Sequence, residues 1–148
     1  MKKIILLISI VGGFLLQSCD KKGPGDNYEF SNSLPPYVTL SSTATKTVAQ
    51  GGSTTFTFGL KTSLQQVVTV TYSITGAVNL PNQTATIARD ALSGTATVNI
   101  PTGVIILPAT TATATLTLIK ATKADGTALT IGSTNNAAAQ KVTINITP

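Results

Sequence analysis

One cysteine is the residue in this sequence whose chemistry can be named. Cys19 is the only cysteine of the 148-residue chain, and it follows Leu16-Gln17-Ser18 at the end of an apolar run. A thiolate is a nucleophile that can accept a covalent group, and the small Ser18 leaves the position accessible. A thiol modified in this way cannot form a disulfide. The rest of the chain is therefore predicted to have neither a disulfide nor a thiolate metal site.

The residues before Cys19 have the layout of a secretory signal peptide. Lys2 and Lys3 form a short positive region, and residues 4–16 are apolar apart from one serine and two adjacent glycines. An apolar run of about 13 residues is shorter than the roughly 20 that a membrane-spanning helix needs. Residues 1–18 are therefore predicted to be a signal peptide that is removed from the mature protein.

Leu16, Ser18 and Cys19 together resemble the lipobox of bacterial lipoproteins, which has leucine, a small residue and then cysteine. The resemblance implies cleavage between Ser18 and Cys19 and attachment of diacylglycerol and a fatty acid such as palmitate to Cys19. The lipid would anchor the protein in the outer membrane of the cell envelope, facing either the periplasm or the cell surface. The alternative is an ordinary signal peptide or an N-terminal anchor, in which Cys19 has no role.

Residues 19–36 are predicted to be the lipidated cysteine and a flexible tether. After Cys19 the chain reads DKKGPGDNYEFSNSLPP, in which glycine and proline interrupt regular structure and the charges keep the segment solvated. Fully extended, such a segment reaches roughly 50 Å. Tyr28 and Phe30 are expected to dock onto the following domain or to form a short edge strand, with docking favoured. Contact with a surface or a partner is the alternative for these two aromatic residues.

Residues 37–148 show the two-residue period of β-strands. Apolar residues alternate with threonine, whose β-branched side chain suits the outward face of a sheet. We predict an all-β domain, an antiparallel two-sheet immunoglobulin-like sandwich of about seven to nine strands, with a small barrel as the other closure. The alternating apolar residues are Phe56, Phe58 and Leu60; Val68, Val70, Tyr72 and Ile74; Ala96, Val98 and Ile100; Ala112, Ala114, Leu116 and Leu118; and Val142, Ile144 and Ile146.

Turn signals separate these runs. Gln50-Gly51-Gly52-Ser53 and Asn79-Leu80-Pro81-Asn82 are predicted turns, and Asp125-Gly126 is the strongest hairpin signal. Residues 104–107 are continuously apolar instead of alternating. This segment is predicted either to be buried on both faces or to cross from one sheet to the other.

Three segments resemble Calx-beta-like and related immunoglobulin-like repeats: TVAQGGSTTFTF at 47–58, GTATVNIP at 94–101 and TATATLTL at 111–118. With the N-terminal motif, the chain resembles a surface lipoprotein of the Bacteroidetes type. Calcium-binding members of the family carry several loop carboxylates, whereas Gln50 replaces the expected glutamate here. The domain keeps only Asp90 and Asp125, so we expect no metal site and no cofactor.

The composition argues against an enzyme and against a nucleic-acid partner. The chain has no histidine, so histidine-based acid–base catalysis and metal ligation are excluded. Asp90 and Asp125 are interpreted as solvated loop residues, with Asp125 making a turn, and not as a catalytic pair. Of the ten basic residues two precede the cleavage point, which leaves eight scattered ones against five acidic residues.

The sequence therefore favours a membrane-anchored, non-catalytic binding or adhesion module with an envelope protein or a glycan as partner. The alternative is a structural spacer without a dedicated ligand. Threonine rows such as Thr111, Thr113, Thr115 and Thr117 also suggest ice binding, although twisted sheets are poor ice templates. Tyr28, Phe30 and Tyr37 are weak candidates for stacking on a sugar. No pattern identifies the ligand-binding residues.

Overall fold

The computed structural model describes residues 35–133 and 136–148, and Pro35–Pro148 forms one compact unit. The predicted lipidation site at Cys19 and the aromatic residues Tyr28 and Phe30 lie outside the described residues. In the part that is described, no helix has the length and hydropathy needed to cross a membrane.

The described chain is built from β-strands, as predicted, with one 3₁₀ turn at Ala137–Ala139. The strands are β1 Tyr37–Leu40, β2 Lys46–Ala49, β3 Ser53–Leu60, β4 Val68–Gly76, β5 Leu80–Ile87, β6 Ser93–Asn99, β7 Ala112–Lys123, β8 Ala128–Ile131 and β9 Lys141–Thr147.

Alternation explains which face of each strand is buried. In β3, Phe56, Phe58 and Leu60 point into the core, and the threonines between them point outward. The same pattern recurs in β6, β7 and β9, where apolar side chains are buried at every second position. Because side chains on a strand alternate between faces, each strand contributes one apolar face to a shared core.

The strands form two layers that one short strand connects. The first layer has the order β8-β1-β3-β6, and the second has β2-β9-β7-β4-β5. Strand β8 pairs with β7 in the second layer and with β1 in the first, so hydrogen bonds link the layers along one side. Most pairs are antiparallel, as predicted. The structure adds two short parallel pairs, β1 with β8 and β2 with β9.

The opposite side of the sandwich is closed by a direct approach of β5 and β6. A Cβ atom added at Gly94 in β6 would overlap the carbonyl oxygen of Thr86 in β5 and would lie 3.1 Å from the Cα of Ile87. Only glycine allows two backbones to approach so closely. The edges of the two layers therefore meet here, so the layers contact each other along both sides of the sandwich.

The aromatic residues of the domain lie in the core, as their strand phase predicts. Phe56, Phe58 and Tyr72 are buried, and the ring centroids of Phe58 and Tyr72 lie 5.4 Å apart. The ammonium group of Lys46 lies 5.7 Å from the centroid of Phe56, within the range of a cation–π contact. These three rings are not available as a stacking platform for a ligand.

The turn after β4 lies earlier in the chain than the sequence predicts. Strand β4 ends at Gly76, which has a φ of +113°, and β5 already begins at Leu80. Of the predicted turn Asn79–Asn82, only Asn79 is outside a strand. Gly76 makes the earlier turn possible because glycine accepts positive φ, and Pro81 is tolerated because β5 is an edge strand.

The register of β4 and β7 shifts at one point in the second layer. Thr71 pairs with Lys120, whereas the next residue, Tyr72, pairs with Leu118. Ile119 is the extra residue of this β-bulge and is 45% exposed. A bulge adds one residue to one strand and interrupts its alternation, which explains why a large apolar side chain faces water in the middle of β7.

Candidate functional site

The two ends of the sandwich are formed by different connections. β3 starts opposite the last residue of β6, and Ala112 at the start of β7 pairs with Ile146 near the end of β9. This end therefore collects the turn 50–52, the turn 77–79 and the long connection 100–111. We call it the loop end.

The opposite end is where the described chain begins. Val38 in β1 pairs with Leu60 at the end of β3, and Val68 pairs with Lys123 at the end of β7. The connections 61–67, 88–92 and 124–127 lie at this end, and we call it the hairpin end. The chain from the predicted anchor thus joins the domain at the hairpin end, far from the loop end.

Charge is distributed unevenly between the two ends. Lys46 and Lys141 begin strands that run toward the loop end, and the other charged residues cluster in the connections and strand ends of the hairpin end. None of the charged residues that the structure describes lies at the loop end. The charged residues of the described range are Lys46, Lys61, Arg89, Asp90, Lys120, Lys123, Asp125 and Lys141.

The loop end carries the most exposed large apolar side chains of the described domain. Ile106 is 78% exposed and Leu107 is 87% exposed. The two preceding residues, Val104 and Ile105, are half-buried and pack against the core. The segment is the crossover between layers, the second of the two predicted alternatives, and it is not buried on both faces. Its base is packed and its tip is exposed.

Hydrogen bonds fix the base of this connection to the neighbouring turn. Gly51 donates its backbone N–H to the carbonyl of Ile100 at 2.9 Å, and Gly103 donates its N–H to the side-chain oxygen of Gln50 at 3.1 Å. A further bond, from the N–H of Ala109 to the carbonyl of Ile106 at 3.0 Å, closes the tip into a turn. The exposed apolar residues thus lie on a connection whose first residues are bonded to the turn 50–52 and whose tip is closed by a backbone hydrogen bond.

The calcium site that the family resemblance implies does not fit these residues. A calcium ion takes six to eight oxygen ligands, typically with several carboxylates. The described residues of the loop end include no aspartate or glutamate, and the side-chain oxygen of Gln50 accepts the hydrogen bond from Gly103. In the described ranges no group of three or more metal-ligating side chains is found.

Asp125 forms the β7–β8 hairpin at the other end of the domain. Its Oδ1 accepts the backbone N–H of Thr127 at 2.8 Å, and its Oδ2 accepts the side-chain amide of Gln66 at 3.2 Å. Hydrogen bonds from Thr127 and from Gln66, with a smaller effect of the charge on Lys123, lower the pKa of Asp125 to about 2. Its interpretation as a turn residue is confirmed.

Asp90 is likewise an exposed loop residue, as predicted. It has a φ of +61°, and its N–H donates to the carbonyl of Leu64 at 2.8 Å. Its carboxylate lies 3.3 Å from the Nε of Arg89, and both side chains are more than half exposed. An exposed pair of this kind contributes little to stability. Asp90 and Asp125 each have a local partner, so neither shows the environment of a catalytic acid.

The threonine rows lie on the outer faces of both layers. Thr115 in β7 pairs with Thr75 in β4 and with Thr143 in β9, which makes a row of three across neighbouring strands. In the first layer the hydroxyls of Thr55 and Thr97 lie 3.3 Å apart. The bulge beside Tyr72 interrupts the rows of the second layer. Ice binding stays an untested prediction.

Comparisons with known proteins give the fold and no closer relative. No family model matches the sequence, and no curated protein matches it. Among solved structures, CBD12 from CALX1.2 matches with a TM-score of 0.55 and 8% identity, over 74% of this chain and 43% of that chain. The apo form of the Calx CBD1 domain matches with a TM-score of 0.54 and 7% identity, over 76% of this chain and 96% of that one.

The domain has a Calx-beta-like β-sandwich fold. This confirms the all-β sandwich predicted from the two-residue alternation, and it agrees with the Calx-beta-like resemblance of the segments at 47–58, 94–101 and 111–118. At 7 and 8% identity the likeness concerns the fold alone. This chain also spans less than half of the length of the first of these structures.

Sequence reasoning missed Ile106 and Leu107 as surface residues. Their signal was present in the sequence, since residues 104–107 lack the alternation of a half-buried strand and no residue from Ala91 to Ile119 is charged. A continuous apolar run is also what a fully buried strand shows. Only the placement of the run between two layers distinguishes the two cases.

Proposed function

We propose that this protein is a lipid-anchored, non-catalytic binding module of the cell envelope, of the Bacteroidetes surface-lipoprotein type. Cys19 carries the lipid and holds the protein at the outer membrane. The observation that carries the proposal is the position of Tyr37, where β1 begins at the hairpin end. A chain anchored through Cys19 meets the domain there and leaves the loop end free for a partner.

The residues at the two ends of the sandwich support a binding role without catalysis. The described domain has no histidine and no cysteine, and its two carboxylates are held in local turns and an exposed ion pair. The two structures of similar fold described above are Calx domains. A spacer without a ligand is the alternative, and it predicts that changes at the loop end have no effect on any partner.

Lipidation is tested by growing cells with an alkyne-tagged fatty acid and separating membrane from soluble fractions. We expect the wild-type protein to be labelled and membrane-bound. Cys19→Ala should be unlabelled and either released or left with its signal peptide, because the acceptor thiol is gone. Ser18→Ala is the matched control, since it keeps a small residue before the cysteine. A Cys19→Ala protein that stayed membrane-bound and normally cleaved would contradict the anchor.

A further inference from the structure

We propose that Ile106 and Leu107 form a docking tip that inserts into an apolar pocket on an uncharged surface of a partner protein. The inference deepens the proposed binding function by naming the residues and the kind of partner. The tip and its test do not depend on the lipid anchor, because the tip belongs to the domain itself; the anchor enters only the comparison with a lipid surface.

Contacts at the base of the connection hold Ile106 and Leu107 in an exposed position, so their exposure does not result from local unfolding. Gly103 is tied to Gln50 and Gly51 is tied to Ile100, while Val104 and Ile105 pack on the core. A connection fixed in this way loses little conformational entropy when its tip is buried by a partner. Side chains that fill a well-packed, desolvated pocket contribute most of the binding energy of an interface. Two large aliphatic side chains at one fixed point can fill such a pocket.

The charge distribution indicates an uncharged protein surface as the partner. The loop end presents Thr102, Ile106 and Leu107 and none of the charged residues among those described. Burying a charge without a partner is costly, so a neutral apolar tip fits best where the opposing pocket is also neutral. Association at such a site depends weakly on ionic strength.

A lipid surface fits this end less well. Segments that lie on membranes combine apolar residues with lysine and arginine beside them, whereas the basic side chains of the described domain lie away from the loop end. The distance between the two ends of the sandwich also argues against contact of the loop end with the membrane. The 12 residues of β7 extend about 40 Å at roughly 3.3 Å each. The loop end would therefore reach the anchoring membrane only with the 19–36 segment close to its full reach of roughly 50 Å.

The first step of the test is photo-crosslinking in the cells that make the protein. The photoreactive amino acid p-benzoyl-phenylalanine replaces Ile106 or Leu107 in the full chain, and replaces Leu92 or Ile119 in the controls. Leu92 and Ile119 are exposed apolar residues away from the loop end, 57% and 45% exposed. We expect an adduct with one protein from positions 106 and 107 and none from the controls.

The second step measures affinity for the crosslinked protein after its identification and purification. The full chain with Cys19→Ala is titrated, so that the result is independent of lipidation. Ile106→Ser and Leu107→Ser should each raise the Kd at least about tenfold, as expected for interface anchors. Ile119→Ser should leave the Kd unchanged. All three variants should keep the wild-type Tm, because the replaced side chains are exposed.

Three results would overturn the proposal. These are adducts with lipid alone, adducts that are absent or equal at all four positions, and a captured protein that binds Ile106→Ser and Leu107→Ser as tightly as wild type. The first of these would show that the tip contacts the membrane. A wild-type chain that the fatty acid does not label would contradict the lipid anchor but would not affect the proposal of the docking tip.

Discussion

The side-chain oxygen of Gln50 accepts a hydrogen bond from the backbone N–H of Gly103 at 3.1 Å, and so joins the β2–β3 turn to the base of the β6–β7 connection. The two residues lie 53 positions apart in the chain. The bond occupies the turn where the family resemblance leads one to expect a metal-binding glutamate. In this chain, a bond within the protein links the two connections.

Replacing Gln50 by alanine should loosen the loop end. Loss of one exposed hydrogen bond costs about 1 kcal/mol of unfolding free energy, and the amide of Gly103 should exchange faster with deuterium. Gln50→Glu keeps an acceptor oxygen and should preserve the protection of Gly103. Gln65→Ala, which removes an exposed glutamine at the hairpin end, is the control. Unchanged exchange at Gly103 in Gln50→Ala would show that the bond has no role.

Calcium should not stabilise the domain. A ligand that binds only the folded state raises Tm by an amount that grows with the logarithm of its concentration above Kd. The loop end lacks the carboxylates that calcium requires. We expect the Tm in millimolar calcium to agree with that in EDTA within about 1 °C. A calcium-dependent rise that disappears in Gln50→Ala would place a metal at this turn and contradict our assignment.

Gly94→Ala should be strongly destabilising. The new methyl group would overlap the carbonyl oxygen of Thr86. The Cα that carries the methyl group and the carbonyl oxygen both belong to the backbone, so they cannot move apart without separating β5 from β6. Overpacking of this kind costs typically 1–3 kcal/mol and sometimes more. Gly59→Ala is the matched control, because its nearest neighbour is the mobile hydroxyl of Ser41 at 3.2 Å. Urea unfolding of both variants measures the difference, and equal stability would refute the close approach.

The carboxyl group of Asp125 should titrate at about pH 2 in the folded protein. Its pKa lies below the usual value of 3.8 because Thr127 and Gln66 donate hydrogen bonds to the charged form. Since the folded pKa is the lower one, the stabilisation is present above the unfolded pKa and is lost as the pH falls through about 2. NMR titration of the carboxyl carbon measures this value directly. Gln66→Ala should raise the pKa, and an unchanged value would show that the amide contributes nothing.

Phe58→Ala should remove a central part of the core. Phe58 is fully buried and packs against Tyr72, and truncation of a buried phenylalanine typically costs 3–5 kcal/mol. Ile119→Ala removes a smaller apolar side chain from the surface bulge and should change stability by less than about 0.5 kcal/mol. Denaturant unfolding of the two variants compares a core position with a surface position. A small effect at Phe58 would contradict the packing of the two layers.

Local pattern was sufficient to predict the long strands and the core. The alternation at Phe56 and Phe58 determines which face of β3 is buried. The Asp125-Gly126 pair marks the β7–β8 hairpin, because glycine accepts the φ of +86° found at Gly126. These features depend on residues that are close in sequence. The prediction is successful where the physical cause is local.

Features that depend on distant residues were not predictable in the same way. Strand β1 has four residues, and Tyr37 pairs with Thr130 near the other end of the chain. Nothing in a four-residue segment encodes such a parallel partner. The exposure of Ile106 and the bond between Gln50 and Gly103 likewise follow from how the layers bring separate segments together, so the docking tip became visible only in the fold.

The pairing of β8 with both layers has a mechanical consequence. A pull on Ile106 enters both β6 and β7, which the connection joins. It passes from β6 through β3 into β1, and from β7 through the hairpin and β8 into β1. A pull on the N-terminal side enters at Tyr37, at the opposite end of the sandwich. In the arrangement that we propose, tension between a bound partner and the membrane would run parallel to the strands. It would load the bonds that β1 makes with β3 and β8 together, in shear, instead of opening them one after another.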